Sequence, residues 1–200
     1  MSKKTAMRQK IIFTALSLII LTSTTMAQNV YHVTQTKFIT DHNLSAAVSN
    51  TVVINKPINE VWELISNWGD AYIYTPGLDK SYCTTDSKNG LASKRHCDIG
   101  KGSVEESIVA YEDMSYFILE VYQIDMPMIK KLFAEFEVTD LGEGKTKFTL
   151  SMAYKMPLGK IMKGKIKNNV TTNSYAIKHY LETGDAQTSK NAKKIKQLYL

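Results

Sequence analysis

Two adjacent carboxylates, Glu105 and Glu106, are the residues of this sequence whose type and setting could do chemistry. They lie in the stretch GSVEESIVAYED, residues 102–113, which otherwise has the composition of a β-strand. Side chains alternate between the two faces of a strand, so Glu106 shares a face with Val104 and Ile108, while Glu105 points the other way. We predict that Glu106 faces the interior. An ionised carboxylate in an apolar interior is costly unless it is paired or hydrated.

Three roles for Glu106 follow from that position, and the sequence leaves all three open. The carboxylate accepts a hydrogen bond from a polar group of a bound ligand, directly or through water. Alternatively, a neighbouring strand satisfies it, with Arg95 or His96 as the nearest candidates. The third role is that of a general acid or base with a raised pKa, with Tyr154 as a second acid–base group.

The two cysteines of the chain, Cys83 and Cys97, flank a predicted hairpin. Asn89-Gly90 lies near the middle of the segment between them and is a strong signal for a tight turn. A hairpin centred there brings the two cysteines onto neighbouring strands, and we predict a disulfide between them. The alternative is a pair of reduced thiols packed as small apolar groups, because a slip of one residue in the register would separate them.

Motifs for other chemistry are absent from the sequence. The histidines at 32, 42, 96 and 179 do not have the spacing of metal ligands, and neither a Gly-x-Ser-x-Gly motif nor a phosphate-binding glycine loop occurs. We therefore predict no metal site, no cofactor and no catalytic residue beyond the weak candidate Glu106.

The first 27 residues have the pattern of a secretory signal peptide. A basic start, MSKKTAMRQK, precedes the short apolar run IIFTALSLII and small polar residues up to Ala27. The apolar run is too short to span a bilayer, so we predict cleavage between Ala27 and Gln28 and a periplasmic or secreted mature chain. These residues carry four bases and no acid, most of the formal net charge of +6. The remaining surplus does not indicate nucleic-acid binding.

The elements that must position Glu106 form one domain, predicted over residues 44–184. Residues 28–43 are predicted to be an irregular leader. A first strand, a helix opened by Pro57 and about six alternating strands follow, and after Pro157 the apolar spacing becomes helical. Residues 185–200 are predicted to be a basic tail, solvated or loosely docked, for which weak contact with a membrane surface is an alternative.

This order of elements resembles the START-like, or SRPBCC, superfamily, most closely its polyketide cyclase/dehydrase and lipid-transport group. The resemblance covers residues from about Ser45 to Gly184. It is carried by VVINKPINEVWELISNW, YTPGLDKSY, VEESIVAYED, MPMIKKLFAEFEVTDLGEGKTKFTLSMAYKM and the long final helix. It implies an α+β helix-grip fold, in which a curved antiparallel sheet wraps the C-terminal helix around an apolar cavity. In the resembling proteins the position of Glu106 is commonly acidic, with the position of Ile108 facing the cavity.

The resemblance implies a ligand pocket without specifying a reaction. We predict an exported protein that binds or carries a small hydrophobic ligand such as a lipid, isoprenoid or aromatic molecule. The alternatives are a cofactor-free cyclase or dehydratase that uses Glu106, and an interaction or stress module with a mostly filled cavity. The oligomeric state stays open. Strand alternation and the helical stripe predict these ligand-binding residues: Glu106, Ile108, Leu119, Val121, Phe136, Leu150, Met152, Tyr154, Ile166, Val170, Asn173 and Ile177.

Overall fold

The computed structural model of the protein describes residues 32–125, 129–186 and 191–200. The predicted signal peptide and its cleavage site lie outside these ranges. None of the helices within them is long and apolar enough to cross a membrane.

A seven-stranded antiparallel sheet is the frame of the fold, and its order is β1-β7-β6-β5-β4-β3-β2. Strands β2 to β7 form a meander in which each strand pairs with the next, and β1 closes the far edge by pairing with β7. The strands are β1 (Ala46–Ile54), β2 (Lys80–Cys83), β3 (Lys94–Ile99), β4 (Gly102–Glu112), β5 (Tyr116–Ile124), β6 (Lys131–Gly142) and β7 (Lys145–Lys155).

Helices cover the inner face of this sheet, as the sequence pattern predicts. Between β1 and β2 lie helix α2 (Ile58–Ser66), which follows Pro57, and a 3₁₀ helix (Trp68–Ile73). The long helix α3 (Gly159–Thr183) follows β7 and packs against β1 and β7. It ends at Gly184, whose φ of 80° is the left-handed conformation that favours glycine and whose N–H donates to the carbonyl of Tyr180. The α+β helix-grip prediction is confirmed.

The main core lies between the sheet and these helices. Alternate residues of β7, including Phe148 and Leu150, are buried there, as the alternation predicts. Trp62 of α2 is buried against Phe117, and its indole N–H donates to Asp113. The apolar face of a sheet needs such a cover, and α2 and α3 provide it.

The predicted irregular leader is wrong for its described part, because residues 32–43 are packed on the outer face of the sheet. They include a short helix, α1 (Thr36–Asp41), and Val33 and Phe38 are buried. A second apolar cluster forms there from Val33, Phe38, Ile118, Phe133 and Ala153. We call residues 32–43 the N-terminal strap.

Of the two alternatives predicted for the tail, solvated or loosely docked, residues 191–200 adopt the docked one, because a second short helix packs on α3. Helix α4 (Ala192–Gln197) buries Ala192 and Ile195. Beyond it, the ring of Tyr199 stacks on Tyr175 of α3 at a centroid distance of 5.3 Å. The basic composition of this segment therefore hides an apolar contact face.

The predicted disulfide is absent, and both cysteines are free thiols. The hairpin itself is confirmed, but its register places Cys83 opposite Arg95 and Cys97 opposite Ser81, so the cysteines are offset diagonally by two residues. The buried thiol of Cys97 donates instead to Oε2 of Glu106 at 3.6 Å. Burial raises the pKa of Cys97, which keeps it a neutral thiol. The alternative of two packed, reduced thiols is the arrangement observed.

Candidate ligand cavity

A cavity of about 280 Å³ lies between the inner face of the sheet, the 3₁₀ helix and α3. This volume lies just below the range of roughly 300–1,000 Å³ that is usual for ligand pockets. Most of its wall is apolar, and the polar side chains in it are few: Arg95, Glu106, Asn169, Asn173, Thr75, Tyr74 and Tyr154.

Most of the residues predicted from the sequence to bind a ligand line this cavity. The sheet contributes side chains from β4 to β7, and α3 contributes one helical stripe. The predicted residues in the wall are Glu106, Leu119, Val121, Phe136, Leu150, Met152, Tyr154, Ile166, Asn173 and Ile177.

Two predicted residues, Ile108 and Val170, do not line the cavity and are buried in the core beside it. Val170 lies toward the side of α3 that faces β1, where the ammonium group of Lys167 donates to the carbonyl of Ser49. Asn169, one residue earlier on the helix, takes the place in the wall. Ile108 lies next to an irregularity of the sheet, because the register of β4 against β5 shifts between Ile108 and Ala110.

Other wall residues were not predicted as ligand contacts. The loop from Thr75 to Leu78 closes one end of the cavity, and no periodicity marks such a loop in the sequence. Trp68 is both buried and part of the wall. Ala134, on β6, is a small side chain facing the cavity and leaves part of it unfilled.

The carboxylate of Glu106 lies in the wall as an ion pair with Arg95. The two residues are opposite each other on β3 and β4, and both are more than 90% buried. Oε2 of Glu106 accepts from Nε of Arg95 at 2.7 Å and also from Nη2. A bulge between Glu105 and Glu106 shifts the pairing of β4 with β5 at this point.

Further contacts fix the guanidinium group of Arg95. Its Nη1 donates to the carbonyl of Trp68, and the group lies 4.7 Å from the centre of a Trp68 ring. Burial alone would lower the pKa of Arg95, but the charge and hydrogen bonds of Glu106 raise it overall. The pair is therefore a fixed dipole in an otherwise apolar wall.

This geometry decides between the partners expected for Glu106. Arg95 is the neighbouring-strand partner, whereas His96 points to the other face and bonds to Glu105 and Asp98. Oε1 of Glu106 forms no hydrogen bond with any residue in the described parts of the chain. One oxygen is thus held by the protein, and the other is left for a further donor.

Asn173 is the second polar group with unused capacity. Its Nδ2 donates to Oδ1 of Asn169 at 3.2 Å, whereas its Oδ1 is buried and has no partner among the described residues. If the oxygen and nitrogen of both amides were exchanged, the nitrogen of Asn173 would be left instead. A buried polar atom without a partner is costly.

The tyrosines of the wall are already engaged. The hydroxyl group of Tyr154 donates to the carbonyl of Gly159 at 3.1 Å, and that of Tyr74 points to the carbonyl of Leu64 at 3.4 Å. Burial raises the pKa of both phenols, so both stay neutral.

A cluster of possible metal-ligand types, not found from the sequence, lies on β6 and the N-terminal strap. It consists of His32, Glu135 and Glu137. Both oxygens of Glu135 already accept hydrogen bonds, one from His32 and one from the backbone N–H of Val33 at 2.9 Å. These bonds attach the strap to the sheet.

The family described as polyketide cyclase / dehydrase and lipid transport matches residues 45–182 of the chain. No curated protein matches the chain.

Similar solved structures include an uncharacterized protein from Bacillus thuringiensis, with 14% identity and a TM-score of 0.58. The match covers 68% of this chain and 99% of that one. A START superfamily protein from Mycobacterium smegmatis has 14% identity and a TM-score of 0.56, with coverage of 68% and 97%. A protein from Thermobifida fusca has 13% identity and a TM-score of 0.58, with coverage of 68% and 92%. At these identities the structures establish the fold alone.

Proposed function

We propose that this chain, which belongs to the polyketide cyclase / dehydrase and lipid-transport family, binds and carries a small hydrophobic ligand in the cavity between its sheet and α3. A lipid, an isoprenoid or an aromatic molecule fits the chemistry of the wall. The observation that carries this proposal is a largely apolar cavity with a buried ion pair, Arg95–Glu106, in its wall. Burial of apolar ligand surface contributes the affinity, and the few polar groups orient the ligand.

Carrier binding has more support than acid–base catalysis by Glu106. One oxygen of that carboxylate is already bound by Arg95, and the hydroxyl group of Tyr154 already donates to a backbone carbonyl. An acid–base mechanism needs groups that are free to exchange protons with a substrate, arranged together.

The test fills the cavity and measures the binding of a neutral, environment-sensitive dye, N-phenylnaphthylamine. Ala134→Trp places a large ring in the space beside Ala134 and should abolish the dye fluorescence. Ala110→Trp is the matched control, because Ala110 is partly buried against the outer apolar cluster and does not line the cavity. Dye binding that survives in a folded Ala134→Trp protein would contradict the proposal. Native mass spectrometry of protein from its own host should show the bound ligand.

We also propose that the protein works outside the cytoplasm. The support is the basic, apolar and small-residue order of residues 1–27. Mass spectrometry of the mature protein should find Gln28 at its N-terminus. Recovery of chains that still begin at Met1 from the extracytoplasmic fraction would argue against cleavage at this site.

A further inference from the structure

We propose that a groove between α3 and α4 binds the anionic end of the ligand, so that the ligand is an amphiphile with a carboxylate or phosphate group. This inference rests on the proposed function, because it assigns the part of the ligand that extends from the cavity. The groove has a volume of about 590 Å³, and it is continuous with the cavity through shared wall residues: Pro76, Gly77, Asn169 and Asn173.

The groove is rich in hydrogen-bond donors. Lys165 of α3 and Lys193 of α4 line it, no acidic residue does, and neither ammonium group has an ion-pair partner in the described ranges. A pair of unopposed cations beside an apolar cavity favours a negatively charged group.

Two amide side chains of the groove have their oxygens occupied and their nitrogens free. Oδ1 of Asn168 accepts from Nζ of Lys196, and Oδ1 of Asn169 accepts from Nδ2 of Asn173. Neither Nδ2 donates to another described residue, so both are available as donors. The groove is therefore lined by ammonium and amide N–H₂ donors, the groups that bind an anion.

Asn173 connects the groove to the cavity. It lines both spaces, it is 93% buried, since its exposed fraction is 7%, and its Oδ1 has no partner in the described structure. Asn173 therefore marks the place where the cavity and the groove meet. The ligand class is an apolar body with an acidic end.

Helix α4 lies beyond the range of the family match. The match ends at residue 182, and α4 begins at Ala192. This helix supplies Lys193 to the wall and, through Lys196, fixes the amide of Asn168. The stretches of α3 and α4 that line the groove, residues 164–173 and 192–193, contain no acidic residue.

The test is displacement of the cavity dye N-phenylnaphthylamine by four probes: decanoate, decyl phosphate, methyl decanoate and inorganic phosphate. Decanoate and decyl phosphate should displace the dye at concentrations about tenfold lower than methyl decanoate. Two partly exposed ion pairs can contribute an affinity difference of this size. Inorganic phosphate alone should leave the dye bound and weaken decanoate by competing for the groove. The stronger of the two decyl compounds identifies the acid group.

The variant Lys165→Met/Lys193→Met should lose that preference and displace dye equally well with decanoate and with methyl decanoate. Lys160→Met/Lys163→Met removes the same charge from α3 outside the groove and should retain the preference. Failure of the wild-type protein to bind the dye would overturn the cavity proposal. Dye binding with equal displacement by decanoate and its methyl ester, or equal loss in both double variants, would overturn the groove proposal alone.

Discussion

Arg95 and Glu106 lie directly opposite each other on β3 and β4, and their buried side chains pair in the wall of the cavity. Removal of two charges from water is costly, and the pair offsets that cost only while both partners are present. The same two residues therefore connect the stability of the fold with the polarity of the site.

Removing Arg95 alone should be strongly destabilising. In Arg95→Met the Glu106 carboxylate stays buried without its counterion, and we expect a loss of about 3–5 kcal/mol in the free energy of unfolding. The double variant Arg95→Met/Glu106→Met should recover most of it, because apolar side chains replace both charges. Urea denaturation of the single and double variants measures the coupling.

The matched control for the buried pair is the exposed pair formed by Lys56, just before α2, and Glu60 of α2. Lys56→Met should cost less than about 1 kcal/mol, because surface ion pairs contribute little. If Arg95→Met cost no more stability than Lys56→Met, Arg95 and Glu106 would be energetically uncoupled. That result would contradict the prediction.

Glu106 should select ligands that donate a hydrogen bond. In Glu106→Gln the amide oxygen still accepts from Arg95, but the atom that replaces Oε1 is then an N–H₂ group that cannot accept. A ligand hydroxyl group or amine should bind about tenfold to a hundredfold more weakly, since a hydrogen bond to a charged group contributes roughly 1.5–3 kcal/mol. Displacement of the cavity dye by decanol measures this effect.

Glu105→Gln is the control for this prediction, because Glu105 lies on the opposite face of β4 and bonds to His96. It should leave decanol binding unchanged, and methyl decanoate, which has no donor, should bind both variants like the wild type. Unchanged decanol binding in Glu106→Gln would mean that Glu106 serves only the ion pair with Arg95.

The parts of the fold that could be predicted from the sequence are those fixed by local periodicity. Alternation in β7 identified Phe148 and Leu150 as core residues, and the spacing from Ile166 to Ile177 identified the face of α3 that meets the cavity. Both patterns follow from the geometry of one strand or one helix. The inward direction of Glu106 follows in the same way.

The parts that could not be predicted depend on contacts between distant segments. Alternation assigns Glu135 to the solvent side of β6, and it is buried only because the N-terminal strap covers that face. The pairing of Arg95 rather than His96 with Glu106, and the offset of Cys83 from Cys97, depend on a strand register that no local pattern fixes. The basic tail hides Ala192 and Ile195, whose cover is the distant helix α3.

The attachment of the strap should depend on pH through Glu135. Burial raises the pKa of Glu135 above its ordinary value of 4.5, and Glu137 adds to the rise, although the hydrogen bonds from His32 and Val33 oppose it. Between its ordinary and its raised pKa, such an acid binds more protons in the folded state than in the unfolded state. The free energy of unfolding therefore falls as the pH rises through the interval between these two pKa values.

Glu135→Gln should remove this dependence, because the amide oxygen still accepts from the N–H of Val33 without carrying a charge. We expect the Tm of the variant, relative to the wild type, to increase as the pH rises above 4.5. Glu137→Gln is the control, since Glu137 is only partly buried and should show a smaller change. Thermal unfolding followed by circular dichroism measures both, and parallel pH profiles for wild type and Glu135→Gln would contradict the assignment.

Phe38 should be the main apolar anchor of α1 on the outer face of the sheet. Helix α1 has six residues, too few to be stable by itself, and its one buried residue is Phe38, whose ring meets Phe133 edge to face at 5.1 Å. Phe38→Ala should therefore release α1 from the sheet, with a local cost of up to about 3–5 kcal/mol, while the bonds of His32 and Val33 to Glu135 still hold the start of the strap. Hydrogen exchange should show a loss of protection at the N–H of Leu44, which bonds to the carbonyl of Ile39, while β7 stays protected.

The control is Thr36→Ala, at an exposed position of the same helix, which should leave the exchange unchanged. The cavity is on the inner face, so dye binding should survive Phe38→Ala. A global loss of protection in β7 would show instead that the strap and the sheet unfold as one unit.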